Sequence, residues 1–251
     1  MKLLLSEHEI LRNCVETIKK VGFDEIQLKV SQKGIKALMP SRDMVAVVNL
    51  NLLPSMFEHY EVEKEEKIGL NLSGLLGILN RADKESILEI DSTDMKVKIG
   101  IRNEVKRDFY LPIIDIKTDE KSPIEKLTEM KAKVEVRKKT LEKLLKDAEL
   151  VSGSEGSISF EARRDSFKVS AKADMSKTET EIKKEDKALY KLEAEQDSKS
   201  EYPIEYMKPI LTHKGTDTVV IEFATDYPAK IGFRYLDKAS LNFYLAPKVS
   251  E

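Results

Sequence analysis

The sequence has no tryptophan, one cysteine and three histidines in 251 residues, and each scarcity excludes something. A lone Cys14 cannot form an internal disulfide, so nothing here calls for an oxidising compartment. It lies among the apolar residues of a helical pattern, where a thiol serves packing rather than nucleophilic chemistry. No run approaches the roughly 18 apolar residues of a spanning helix, and the opening MKLLLSEHEI becomes charged too early for a secretory signal. These features predict a soluble intracellular protein with no membrane partner. An excess of one charge is missing too: 43 Lys plus Arg nearly cancel 45 Asp plus Glu, a net charge of −2. A uniformly basic nucleic-acid binder is excluded, and any basic surface must be local.

The motifs of common chemistries are also missing. There is no Gly-x-x-x-x-Gly-Lys phosphate loop, no Gly-x-Ser-x-Gly elbow and no cysteine pair for zinc. His8, His59 and His213 fall in unrelated elements without metal-ligand spacing and read as surface or helix-end histidines. Carboxylates are abundant but scattered over charged strands and helix faces. The expectation is no enzyme, no catalytic residues, no metal and no cofactor.

What is present is periodicity. Hydrophobic residues make up 41% of the chain, enough for the core of one large domain or two ordinary ones. After the strand MKLLL, Ser6 with Glu9 predicts a capping box for a helix running to Lys20, with Ile10, Leu11, Cys14, Val15 and Ile18 on one face. EIQLKV, GIKAL and MVAVVNLNL alternate as strands, KIGLNL is another, and Ser73 is expected to cap a short helix through Leu79. SILEI, MKVKIGI and RDFYLP complete a meander. Residues 114–130 have no sustained period and carry Pro123, which predicts a connector between domains at 1–113 and 131–251. The second part repeats the first: strand KAKVEV, helix RKKTLEKLLKDAEL, strands SISFEA, FKVSA, KTETEIK and LYKLEAE, a helix around PIEYMKPILTHK, then TVVIEFA, AKIGFRY and SLNFYLAP.

The repetition is literal in places. KIGIRNEVKRDFYLP at 98–112 returns as KIGFRYLDKASLNFYLAP at 230–247, and a slide of about 132 positions superposes the element orders. One duplication of that length predicts two domains of like α+β fold. DMSKTETEIKKE, from Asp174 to Glu185, is too charged for a sheet centre and reads as an edge strand, which either avoids pairing or offers it. Basic residues gather on helices: Arg12 and Lys19 on the first, Arg81 and Lys84 ending the second, Lys143 and Lys146 on the third, Lys208 and Lys214 on the fourth.

The tail Phe243-Tyr244-Leu245-Ala246-Pro247-Lys248-Val249 resembles the Tyr-Leu-Ala-Pro-Lys tail of the proliferating cell nuclear antigen (PCNA) sliding clamps, most of all archaeal ones. Phe109 to Asp115 resembles the strand leading into that family's interdomain connector, and Pro40-Ser41-Arg42 its Asp-Pro-Ser-Arg turn. The resemblance implies two similar domains, each with antiparallel sheets outside and two helices inside, in a trimeric ring around duplex DNA. It implies sequence-independent phosphate contacts from Arg12, Lys19, Arg81, Lys84, Lys143, Lys146, Lys208 and Lys214. It implies a subunit interface through Val105 and Phe109 on one strand and Thr178, Thr180 and Ile182 on another. Partners would be two further clamp subunits, and DNA polymerase, flap endonuclease, DNA ligase and a clamp loader. A short peptide motif of the latter group would dock on Val45, Val47, Ile124, Leu127, Pro228 and residues Tyr244, Leu245, Ala246, Pro247, Lys248 and Val249. The implied location is the cytoplasm, beside the nucleoid, in an archaeon, or the nucleus in a eukaryote. The sequence departs from the family at Met39, which replaces Asp, at Gly77 and Asn80, where relatives carry lysines, and at Pro209, which should kink or shorten the fourth helix. A peptide-binding scaffold or a specialised heterotrimer subunit is the other reading.

Overall fold

The computed structural model describes residues 1–93, 95–116, 124, 127 and 129–248. The chain forms two compact units: Met1–Arg42, Val48–Lys121 and Arg234–Leu241 make the first, and Asp43–Val47, Ser122–Phe233 and Asn242–Glu251 the second. The cut at 121/122 falls within the connector expected over 114–130, of which 117–123, 125, 126 and 128 lie outside the described residues.

The first unit begins with β1 (Lys2–Leu5) and α1 (His8–Lys20), then runs through β2 (Glu25–Ser31), β3 (Gly34–Pro40), β4 (Ala46–Leu52), β5 (His59–Glu61) and β6 (Glu66–Asn71). α2 (Leu72–Leu79), β7 (Ile87–Ser92), β8 (Lys96–Arg102) and β9 (Lys106–Pro112) follow. The second unit has β10 (Ala132–Arg137), α3 (Lys138–Ser152), β11 (Ser157–Ala162), β12 (Ser166–Lys172), β13 (Lys177–Lys183), β14 (Leu189–Ala194) and β15 (Ser198–Pro203). It continues with α4 (Ile204–Leu211), β16 (Thr218–Phe223), β17 (Ala229–Tyr235) and β18 (Ala239–Leu245). The order of strands and helices is the same in both series.

The pairing repeats as well. In the first unit the antiparallel order is β5-β1-β7-β8-β9, with β6-β2-β3 leading to residues 48–52 of β4. In the second it is β14-β10-β16-β17, leading to residues 242–245 of β18, with β15-β11-β12-β13 as a separate sheet. Helix α1 packs on α2, and α3 on α4. α3 also covers β11 and β12, burying Ile158, Phe160, Phe167 and Val169. The result is α+β, with a helix pair laid against antiparallel strands in each unit.

The helix starts differ from expectation. α1 begins at His8 with Glu7 as its cap residue and no side-chain capping bond, so the Ser6 and Glu9 box does not form. The carboxylates are engaged elsewhere, Glu9 with Arg12 and Glu7 with Lys238. α2 is capped by Asn71, whose Oδ1 accepts the Gly74 N–H at 3.0 Å, and Ser73 lies inside the first turn. α4 keeps Pro209 within its last turn but stops at Leu211, short of the expected Lys214. β5 and β15 appear where no strand was expected. Cys14 is fully buried, which pushes its thiol up to about 12. No helix among the described residues is long and apolar enough to cross a membrane.

Candidate DNA and partner interface

The cations of the first helix pair are largely engaged within the unit. Arg12 meets Glu9 at 3.0 Å, Lys20 meets Glu16 at 2.7 Å, and Lys19 donates to the Ser73 hydroxyl of α2. α2 itself contains no cation, because Gly77 and the cap Asn80 occupy its length. Arg81 and Lys84 lie in the turn beyond it, and the Arg81 carbonyl accepts from Arg107 at 3.0 Å.

α3 presents a different surface. Leu141, Leu144, Leu145 and Ala148 face inward, which turns Lys139, Lys143 and Lys146 to solvent. None of these three ammonium groups has an ion-pair partner among the described residues. Arg137 and Lys138, which open the expected helix RKKTLEKLLKDAEL, do not join them. Arg137 ends β10 and donates to Tyr190 Oη and the Lys187 carbonyl. Lys138 folds inward to Glu142 at 2.9 Å and the His213 carbonyl at 2.7 Å. On α4, Lys208 pairs with Glu149 of α3 at 2.7 Å, and Lys214 lies past the helix end.

Two of the histidines are interior rather than on the surface. His8 is fully buried, with Nε2 2.9 Å from the Asp83 carbonyl, and His213 is fully buried with its ring centroid 4.4 Å from that of Phe233. Only His59 is exposed, beside Glu61 at 3.3 Å.

The residues expected to receive a partner peptide all belong to the second unit. The Val45 carbonyl accepts the Ala246 N–H at 2.9 Å, which lays the tail against the segment containing Val45 and Val47. Both valines are half-buried, as are Ile124, Leu127, Pro228, Tyr244, Ala246 and Pro247. Pro228 is preset by its neighbour: the Tyr227 carbonyl accepts from Tyr202 Oη at 2.8 Å and from Ser200 Oγ at 3.5 Å. Tyr206 Oη donates to Asp43, and desolvation together with that carboxylate pushes the phenol pKa up. Leu245 is a correction: it is fully buried in the core and has no surface to offer a peptide. Lys248 is exposed, and Val249 lies outside the described residues.

The expected subunit contact maps onto two strands that each end a sheet, β9 and β13. Val105 is 67% exposed in the turn before β9, and Phe109 is half-buried. Thr178 and Thr180 are half-buried on β13, whereas the Ile182 side chain is 4% exposed and belongs to the unit's own core, leaving only its backbone at the edge. On β9 itself, Asp108 collects Lys98 at 3.1 Å and Arg102 at 3.2 Å. Partial desolvation pushes its carboxyl upward, but those cations and Lys106 hold it below the usual range.

Duplicated units, each a helix pair on antiparallel strands with open strand edges, are the α+β architecture that the resemblance to sliding clamps implies. Residues 1–121 match the family "Proliferating cell nuclear antigen, N-terminal domain". The chain is 34% identical over 232 residues to the DNA polymerase sliding clamp of Thermococcus gammatolerans, covering 91% of this chain and 90% of that one. It is 32% identical to the Pyrococcus abyssi sliding clamp, covering 94% of each. Its structure matches PCNA from Thermococcus kodakaraensis with a TM-score of 0.91 at 28% identity, over 98% of this chain and 99% of that chain. It matches a chain of the PCNA2–PCNA3 complex from Sulfolobus tokodaii with a TM-score of 0.87 at 25% identity, over 99% of each. The chain belongs to the PCNA family of DNA polymerase sliding clamps.

Proposed function

We propose that this chain encircles duplex DNA as one of three subunits joined head to tail, and tethers DNA polymerase and other replication and repair enzymes without catalysing a reaction itself. The observation that carries the reading is the duplicated topology over the full chain, with β9 and β13 each left as a sheet edge. Pairing β9 of one copy with β13 of the next, through Val105, Phe109, Thr178, Thr180 and the backbone of Ile182, would satisfy both edges. Lys143 and Lys146 are the strongest DNA contacts in this reading, because phosphates would take them from water rather than from a carboxylate. Arg12, Lys19 and Lys208 would first exchange an internal partner, at a cost of roughly 1 kcal/mol or less each for exposed pairs. Arg81, Lys84 and Lys214 would add contacts from the turns. Such contacts hold DNA without fixing a register, as sliding requires.

Polymerase, flap endonuclease, ligase and loader would share one docking mode, an apolar anchor against Val45, Val47, Ile124, Leu127, Pro228 and Tyr244 with main-chain bonds to 246–248. The test is polymerase extension on primed circular DNA with a loader: the protein should lengthen products, and an unchanged product length would refute the function. A second reading, a subunit of a heterotrimer, is favoured by the match to a complex of two distinct subunits. A single-chain mass in sedimentation of the isolated protein at high concentration would select it, and a trimer mass would remove it.

A further inference from the structure

On the second unit, the sheet face turned away from α3 opens into a groove of about 250 Å³. The sequence accounts for the opening. One cross-strand row reads Glu201, Ser159, Ser170, Glu179, so two short hydroxyl side chains stand between two long carboxylates. Ser159 is 6% exposed, and its Oγ has no hydrogen-bond partner among the described residues. A hydroxyl left so is an unmet demand.

The charges around it are not equally available. Glu179 is held by both Lys168 and Lys177, which together pull its carboxyl down to about 2. Glu201 accepts the Ser157 hydroxyl at 3.1 Å, and Glu161 accepts from Arg163 at 2.7 Å. Lys172 and Lys199, by contrast, line the groove with no ion-pair partner among the described residues. The carboxylates are therefore committed, while two ammonium groups and one buried hydroxyl are not. That combination recognises an oxyanion.

We propose that this groove binds the carboxylates of an acidic segment from a partner protein. A peptide fits better than a lone ion, because the groove crosses four strands spaced about 4.8 Å apart and its two uncommitted lysines stand on β12 and β15, with β11 between them. Successive acidic side chains can span that distance; a single phosphate cannot. The site uses none of the proposed DNA contacts, although Lys177 and Glu179 stand on β13, the strand whose free edge the proposed function assigns to the next subunit.

The experiment is a titration of the full-length protein, labelled with nitrogen-15, by an N-acetylated tetraglutamate amide, followed by amide shifts. Peptide-dependent shifts are expected at 157–161, 168–172 and 199–201. Lys172→Gln with Lys199→Gln should weaken binding roughly tenfold, and Ser159→Ala roughly threefold, by loss of charged and neutral hydrogen bonds respectively. Glu179→Gln should strengthen binding, because it releases Lys168 and Lys177; a folding defect would not produce that sign. Inorganic phosphate binding as tightly as the peptide would overturn the peptide assignment, as would shifts confined to α3 near Lys143 and Lys146 or an unchanged affinity in the double variant. The assay contains neither DNA nor a loader, so its failure leaves the function test unaffected.

Discussion

In the first unit the segment after the last strand is fastened at Ile114, whose N–H donates to the Gly69 carbonyl of β6 at 3.0 Å. In the second, the Lys248 N–H donates to the Glu201 carbonyl of β15 at 2.8 Å. Gly69 and Glu201 stand 132 positions apart, the same slide that superposes the two halves of the sequence. The backbone bond has been kept while the side chains have diverged. A Cβ on Gly69 would sit 2.1 Å from the Ile114 carbonyl oxygen, whereas Glu201 carries a carboxylate that accepts the Ser157 hydroxyl. The KIG echo has a parallel cause. A Cβ on Gly100 would stand 3.0 Å from Asp108 Oδ1 and one on Gly232 2.6 Å from Asn242 Oδ1, so each glycine leaves room for a polar side chain of the neighbouring strand. The surfaces then differ, with ions around Asp108 and a neutral amide at Asn242.

The cores differ too. Phe160 has ring centroids of Phe167, Tyr202 and Phe223 within 5.6, 5.7 and 6.3 Å, while the matching position of the first unit is the half-buried Leu28. The largest expected effect follows. Phe160→Ala should cost about 3–5 kcal/mol in urea unfolding, and Leu28→Ala only about 1–2 kcal/mol because less surface is buried. Equal losses would mean that the aromatic cluster does not distinguish the units.

Next in size, Gly69→Ala should destabilise by about 2–3 kcal/mol as Ile114 is displaced, whereas Glu201→Ala should stay within about 0.5 kcal/mol. Thermal melting of both variants compares the two fastenings. The first residue of each leading helix offers a third contrast, since His8 reaches the Asp83 carbonyl and Lys138 the His213 carbonyl. Losing the charge-assisted bond in Lys138→Met should cost about 1.5–3 kcal/mol, and His8→Ala about 1 kcal/mol for the hydrogen bond alone. Reversal of that order in chemical denaturation would show that packing of the buried imidazole outweighs its bond.

The smallest of the leading effects in these contrasts concerns α3 against α1. Lys143→Glu with Lys146→Glu should cut polymerase stimulation on circular DNA about tenfold, about 1.4 kcal/mol, and weaken its salt dependence. Arg12→Ala, removing a cation already paired with Glu9, should change stimulation less than threefold by the weakness of exposed pairs. Melting temperatures of all three chains should agree.

Much of this was legible in the residues. The 3.6-residue period of α1 and α3 and the alternation of most strands predicted elements within a few residues of their observed bounds. β15 escaped because Ser198 and Ser200, the inward positions of SKSEYP, are polar; each is 1% exposed, and only Tyr202 gives an apolar signal. The duplication could have supplied it, since KIGLNL precedes α2 as SKSEYP precedes α4. The candidate site was legible by type but not by availability. Nothing in the spelling separates Lys138, folded inward, from Lys143, open to solvent, whereas the alternation of Leu241, Phe243 and Leu245, and the single apolar residue of KTETEIK, did mark Leu245 and Ile182 as interior.

The sequence by itself determined the duplication, the class of each long element and the chemical character of its faces, because periodicity and turn residues act over a few neighbours. Only the tertiary structure decided which cations are spent on carboxylates, which histidines lie in the core and why a glycine recurs opposite Asp108 and Asn242. Some of those groups are far apart in the chain, as His8 and Asp83 are, and even the near pairs, such as Arg12 with Glu9, are chosen by which side of the helix packing leaves to solvent.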